Sequence, residues 1–257
     1  MELKEKISGL IITFNEEKNI QEILDDFSIC DEIIVVDSFS SDQTVSISEK
    51  NPRVKIIQHP FEDFTKQRNV ALDAAANDWV LFLDGDERIT SELHKEIISE
   101  LNKSDKKDAY YFYRKFYFAG SPINFSGTQT DKNFRLFRKS KCRYVVDKKV
   151  HETLAVNGSI GVFNNKLQHF SVSDYDSYKD KMIHYGNLKG QEIFDKGKKF
   201  SVLTQYLKSA FKFFKTYFLR LGFLDGKEGF QLSVLQTLSV FETYEYLKKE
   251  QLKSKLG

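Results

Sequence analysis

Apolar runs of strand length alternate with stretches of helical spacing through the first hundred residues. Ile7 to Phe14 reads as a strand. Glu16 to Phe27 has helical periodicity, with Ile20, Ile23, Leu24 and Phe27 on one face. Ile33 to Val36 is a second apolar strand, and Asp42 is placed to cap a short helix running to Lys50. Val54 to Ile57 is a third strand. Phe64 to Asn77 is helical, with Val70, Ala71, Ala74 and Ala75 turned inward, and Val80 to Leu83 is a fourth strand. Strands alternating with helices predict right-handed βαβ units and a parallel sheet.

Ligands on such sheets bind beyond the carboxyl ends of the strands. Three polar clusters fall there: Thr13-Phe14-Asn15-Glu16-Glu17, Asp37-Ser38-Phe39-Ser40-Ser41-Asp42, and Asp84-Gly85-Asp86-Glu87. Helix caps alone account for the first two, because Ser, Asp and Asn favour caps. They do not account for three carboxylates within four residues at the end of the apolar strand Trp79-Val80-Leu81-Phe82-Leu83. Carboxylates cost free energy when packed without partners, and like charges this close repel. A hard divalent cation, Mg²⁺ or Mn²⁺, is the simplest counter-charge, and such ions commonly hold substrate phosphates.

From Ala109 the pattern changes. Tyr110 to Phe118 is aromatic and strand-like, interrupted by Arg114 and Lys115. Asn133 to Arg138 alternates polar and apolar, as a half-buried strand does. Short strands follow around 145–150 and 167–170. This half is expected to be antiparallel or mixed and to extend the first sheet. From Tyr175 the chain reads as helical.

Composition narrows the partners. Of 257 residues, 40% are hydrophobic and 30% charged, which fits a globular core. A net charge of +2 gives no ground for nucleic-acid binding. Cys30 and Cys142 lack metal-type spacing and read as reduced thiols of a cytosolic protein. The sequence shows no signal-peptide hydrophobic region and no run of 18 apolar residues, so a cytoplasmic location is expected, with room for contact at a membrane surface.

The order of Thr13-x-Asn15-Glu16-Glu17, Asp31 to Ser38, Gln67-Arg68-Asn69 and Trp79…Asp84-x-Asp86-Glu87 resembles family 2 glycosyltransferases of the GT-A fold. Arg135-Leu136-Phe137-Arg138, Val150-His151-Glu152, Gln168-His169-Phe170 and Gly222-Phe223-Leu224-Asp225-Gly226 are similar to the subgroup that extends lipopolysaccharide inner cores. Gly85 departs from that subgroup, where Ala is commoner.

The resemblance implies a Rossmann-like mixed sheet flanked by helices, with a catalytic domain over 1–172 and a helical extension over 173–257. The nucleotide half would be about 1–105 and the acceptor half about 106–172. It implies inverting transfer of a sugar from a nucleoside diphosphate, by expectation UDP, to a glycolipid or saccharide acceptor. Asp86 is then the direct ligand of Mn²⁺ or Mg²⁺, and Asp84 contacts ribose or metal-bound water. His169 is a further candidate ligand. Glu152 is the candidate base that activates the acceptor hydroxyl, with Glu87 as the alternative. Asp37 would accept from the uracil N–H, Thr13, Asn15 and Glu16 would line base and ribose, and Arg68 would approach base or diphosphate. A sugar-nucleotide nucleotidyltransferase stays open as an alternative, although Asn15-Glu16-Glu17 stands where such enzymes carry a Gly-rich basic loop. A non-catalytic membrane-associated binding module of the same fold also stays open.

Residues 196–224 contain no Asp or Glu, seven Lys or Arg and eight Phe or Tyr. Phe200, Leu203, Leu207, Phe211, Phe214, Phe218 and Leu221 recur at spacings of three and four, forming one apolar stripe, with Lys208, Lys212 and Lys215 on another side. Two readings remain: a helix packing its stripe on the core, or an interfacial helix on anionic lipid. Phe230 to Leu247 is a second amphipathic helix, suited to packing on the first or to a homodimer contact.

Overall fold

The computed structural model describes residues 3–148, 151–172 and 174–256. The chain runs β1 (Ile7–Thr13), α1 (Ile20–Asp26), β2 (Glu32–Asp37), α2 (Thr44–Ser48), β3 (Val54–Gln58), α3 (Phe64–Ala74), β4 (Trp79–Phe82), β5 (Glu87–Arg88) and α4 (Ser91–Leu101). It continues through β6 (Ala109–Phe118), β7 (Ser121–Ile123), β8 (Lys132–Arg138), β9 (Cys142–Lys148), β10 (His151–Val156), β11 (Ile160–Val162) and β12 (Leu167–Val172). Three helices follow: α5 (Tyr175–Asp195), α6 (Val202–Phe214) and α7 (Gly226–Leu256).

The main sheet is ordered β3-β2-β1-β4-β8-β6-β12-β5, with β7 and β11 also paired to β6. β3, β2, β1 and β4 are parallel, and β8 enters antiparallel to β4. β9 and β10 form a separate two-stranded sheet. The chain divides into two compact units, 1–114 with 132–169, and 115–131 with 170–257.

In the first unit both faces of the parallel strands are buried, and successive residues feed opposite layers. Ile33, Val35, Trp79 and Leu81 join α1 and α4 on one face. Ile34, Val36, Val80 and Phe82 join Ala71 and Leu72 of α3 on the other. The expected helix over 16–27 is shorter, because Glu16 and Glu17 are spent on backbone contacts to the next loop. Asp42 does not cap α2 itself, whose N-cap is Gln43; its carboxylate accepts from the Thr44 amide at 3.0 Å.

One carboxylate here works against the fold at neutral pH. Burial pushes Asp26 from the usual 3.8 up to about 6, although it accepts from the Ile89 amide at 3.1 Å. The raised value means that the folded state holds the proton more tightly than the unfolded chain. Stability from this group is therefore complete below pH 4 and lost as pH rises through 6. Asp26→Asn keeps an acceptor without the charge. It is expected to raise unfolding stability by about 1–2 kcal/mol at pH 7, with no gain at pH 4, in urea titrations at the two pH values.

In the second unit, α5 and α7 cross closely at Gly186 and Gly190. A Cβ on Gly186 would come within 2.7 Å of the Ser239 carbonyl, and one on Gly190 within 2.9 Å of the Thr243 carbonyl. Asp225 accepts from the amides of Asn124 at 2.8 Å and Phe125 at 3.0 Å and from the Ser126 hydroxyl at 3.0 Å. The Gly222–Gly226 motif thus has a local structural task.

Candidate functional site

A cleft of about 440 Å³ lies beyond the carboxyl ends of β1, β2 and β4. Phe14, Glu16, Asn19, Ser38, Phe61, Phe64, Asp84, Gly85, Asp86 and His169 are among its lining. The three polar clusters do converge, but with divided tasks.

The first two clusters mostly hold each other. Parallel register sets Thr13 opposite Asp37, and the Thr13 hydroxyl donates to the Asp37 carboxylate at 2.9 Å. Ser40 donates to the same carboxylate from its amide at 2.8 Å and its hydroxyl at 2.5 Å. Asp37 is 0% exposed and stands behind the cleft wall rather than among its lining residues. Asn15 is held in the same way. Its side chain accepts from the Ser41 amide at 2.9 Å, while its own amide donates to the Ser40 hydroxyl at 2.8 Å. Asn15 and Phe39 both hold left-handed backbone, at φ 55° and 60°, at the tips of β1 and β2. Such conformations persist where surrounding contacts over-determine them. Of the first cluster, Thr13, Phe14 and Glu16 line the cleft, and of the second, Ser38.

The third cluster separates three carboxylates into three environments. Glu87 is 0% exposed. Arg135 meets it side-on, with Nε 2.7 Å from Oε2 and Nη2 donating to Oε1 at 2.7 Å, and Arg114 Nη1 lies 3.4 Å away. Glu87 is thereby buried as the anchor of Arg135. Asp84 accepts from Arg68 Nη2 at 2.7 Å and from Arg135. Burial raises its pKa, but the Arg135 and Arg68 guanidiniums outweigh that and hold the carboxyl well below the usual range. Arg68 in turn lies against the rings of Phe82 and Tyr144, 4.7 and 5.4 Å from their centroids. It lines the cleft with its charge committed to Asp84.

Asp86 alone reaches outward, its side chain 38% exposed. Its partner arrives through a two-residue strand: β5 pairs antiparallel with β12, setting His169 opposite Glu87. His169 Nε2 then lies 3.2 Å from Asp86 Oδ2. Burial favours the neutral acid, yet the hydrogen bond and charge of His169 hold Asp86 below the usual carboxylate range. Arg88 fixes the loop by donating to the Gly85 and Glu87 carbonyls at 2.9 and 2.7 Å.

Asp86 and His169 fit a six-coordinate cation as two neighbouring ligands. Ligands about 2.1 Å from an octahedral ion are spaced about 3 Å along an edge. Among the described residues no group of three or more His, Cys, Asp or Glu converges, so the remaining positions would fall to substrate oxygens or water.

Gly85 also has a local reason. A Cβ there would lie 2.9 Å from the Glu16 carboxylate, so Ala in this position requires the end of that side chain to move. Glu152 stands in β10, opposite Val146 of β9; its side chain lies outside the described part of the structure, as does Val150. Residues to which the sequence gave no individual role are Ser38, Asn19, the exposed rings Phe14, Phe61 and Phe64, and Arg135. Phe61 and Phe64 meet edge to face at 4.9 Å. Phenylalanines just after strand ends, in loops at Phe14 and Phe61 and at the start of α3 at Phe64, were the available signal for the rings.

Residues 8–153 match the family described as Glycosyl transferase family 2. The chain is 30% identical over 269 residues to the uncharacterized glycosyltransferase RC0292 of Rickettsia conorii, covering 98% of this chain and 93% of the relative. It is 28% identical over 225 residues to the lipopolysaccharide core biosynthesis glycosyltransferase LpsC of Rhizobium meliloti, covering 86% and 82%. The crystal structure of S. aureus TarS 1–349 in complex with UDP is similar at a TM-score of 0.50 and 18% identity, covering 96% of this chain and 92% of that one. That likeness carries the GT-A fold and nothing finer. Family match, relatives along the whole length and a polar cleft at the strand ends agree, and the chain belongs to glycosyltransferase family 2.

Proposed function

We propose that the protein is an inverting, divalent-cation-dependent transferase that moves a sugar from UDP to a lipid-linked saccharide, as in lipopolysaccharide core assembly. The observation that carries it is the pair Asp86 and His169, 3.2 Å apart at the cleft and spared by the arginines that occupy Asp84 and Glu87. A cation held there would neutralise charge developing on the departing diphosphate. The acceptor class is supported by the chain's likeness to LpsC, a lipopolysaccharide core biosynthesis glycosyltransferase. The family sets aside the nucleotidyltransferase alternative.

The protein's own groups divide the work. Asp86 and His169 form the cation-binding edge. Arg68 and Arg135 fix Asp84 beside it, so that its carboxylate meets the ribose side of the donor from a set position. Phe61 and Phe64 offer ring faces to a nucleobase. Glu152 remains our proposal for the base: a carboxylate takes the acceptor proton as the hydroxyl oxygen bonds to the anomeric carbon and the sugar–diphosphate bond breaks. Attack opposite the leaving group inverts the anomeric centre.

Calorimetric titration with UDP tests the reading. Binding is expected in Mn²⁺ and at least tenfold weaker in EDTA. Tight, cation-independent binding would refute the cation site. Phe61→Ala/Phe64→Ala is expected to raise the Kd for UDP about tenfold while leaving cation dependence intact, since stacking on a base is worth about 1–3 kcal/mol. An unchanged Kd would remove the rings from the donor site.

A further inference from the structure

The helix α6 is built inside out. Its buried positions are polar, Gln205 and Ser209, followed by Thr216 in the next turn. Gln205 donates to Glu245 of α7 at 2.9 Å and to the Phe241 carbonyl at 3.3 Å. The apolar stripe faces away: Leu203 is 69% exposed, Leu207 60%, Phe211 59%, Phe214 48% and Phe218 49%. The patch continues through the exposed Leu219, Phe223, Leu224 and Phe230. Side chains of this size, contiguous and uncovered, exceed what scattered surface residues require.

Charge along the stripe from 196 to 224 has one sign. No carboxylate occurs between 196 and 224, and Lys208, Lys215 and Arg220 are exposed beside the stripe. Burial, with the Arg220 and Lys215 charges nearby, holds the Lys212 ammonium below its usual value, as expected where cations crowd. No helix among the described residues is long and apolar enough to cross a membrane. A helix that exposes bulky apolar groups, rims them with lysine and is too polar to span is suited to lie in a headgroup layer.

We propose that the exposed face of α6, with the Phe223-Leu224 turn, is a surface that inserts into an anionic lipid bilayer. Charge decides against a second copy as its occupant. A two-fold interface would set each molecule's Lys208 and Lys215 against the same basic face, whereas anionic headgroups complement it. The surface supplies the partner that a lipid-linked acceptor needs, and so deepens the proposed function, but it is tested without donor or cation.

The test is co-sedimentation of the full chain with phosphatidylglycerol–phosphatidylcholine vesicles and with phosphatidylcholine alone. The protein is expected to pellet with the anionic vesicles and at least tenfold less with the neutral ones. Leu207→Ser/Phe211→Ser/Phe214→Ser and, separately, Lys208→Glu/Lys215→Glu are each expected to lower anionic pelleting at least tenfold with unchanged far-ultraviolet circular dichroism. Failure of the parent chain to pellet overturns the proposal. So does unaltered pelleting of both variants, or a dimer by light scattering that the serine variant turns into a monomer. Pelleting without any UDP binding would leave this surface standing and defeat the donor-site reading instead.

Discussion

Asp86→Asn is expected to abolish cation-dependent UDP binding and to lower kcat/KM for transfer on the order of 100-fold or more, without loss of fold. The Asp86 side chain is 38% exposed and meets His169 Nε2 at 3.2 Å, so an amide replaces it without stranding a buried charge. Unfolding stability should stay within about 0.5 kcal/mol. Calorimetry in Mn²⁺ and in EDTA separates the outcomes: the variant should show the same weak UDP affinity in both. Asp84→Asn behaves differently in this account. It takes charge from the carboxylate that Arg68 and Arg135 share, so it should cost stability as well as affinity. If Asp86→Asn titrates in Mn²⁺ as the parent does, the cation site at β4 is wrong.

The parallel half of the fold was legible because its signal is local. Strands β1, β2 and β4 are apolar at successive positions, which only a sheet covered on both faces requires, and the helices between them carry their own periodicity. The helix ends were less legible. Glu16 and Glu17 read as helical, but the Glu16 amide donates to Thr44 at 2.7 Å and the Glu17 amide to Asp42 at 3.0 Å, contacts across more than 20 residues that no window reveals.

The site divided the same way. Density of acid at 84–87 pointed to a loop that lines the cleft, and His169, nominated with it, lines the cleft too. What each carboxylate does depends on cations contributed from elsewhere. The alternation of Asn133 to Arg138 reads as one wet face, yet Arg135 is 2% exposed because that face looks onto Asp84 and Glu87. Asp37 and Asn15 sat in the expected clusters and were spent on joining two loops. In α6 the apolar stripe was legible while its direction was not, because buried Gln205 bonds to Glu245 and the Phe241 carbonyl of α7 and leaves the stripe outward.

Arg135→Met is expected to be among the most damaging single changes in the protein, lowering unfolding free energy by about 3–5 kcal/mol. Arg135 is buried, and burial opposes its charge, but Asp84 and Glu87 together stabilise the guanidinium beyond that cost. Without it, Glu87 is left at 0% exposure with Arg114 at 3.4 Å, and Asp84 keeps Arg68 as its close partner and Arg114 as a more distant charge. The coupling is measurable. Arg135→Met/Glu87→Gln should lose at least about 1 kcal/mol less than the two single variants summed, because the double variant no longer strands the Glu87 charge. Strict additivity would mean that the pair contributes nothing jointly. Acid supplies an independent check. Asp84 is held below its usual pKa, so its contribution is present at neutral pH and is lost as pH falls below about 4 toward the folded value. The gap between parent and Arg135→Met should therefore narrow from pH 7 to pH 3 in urea titrations, where a purely steric defect would leave it constant.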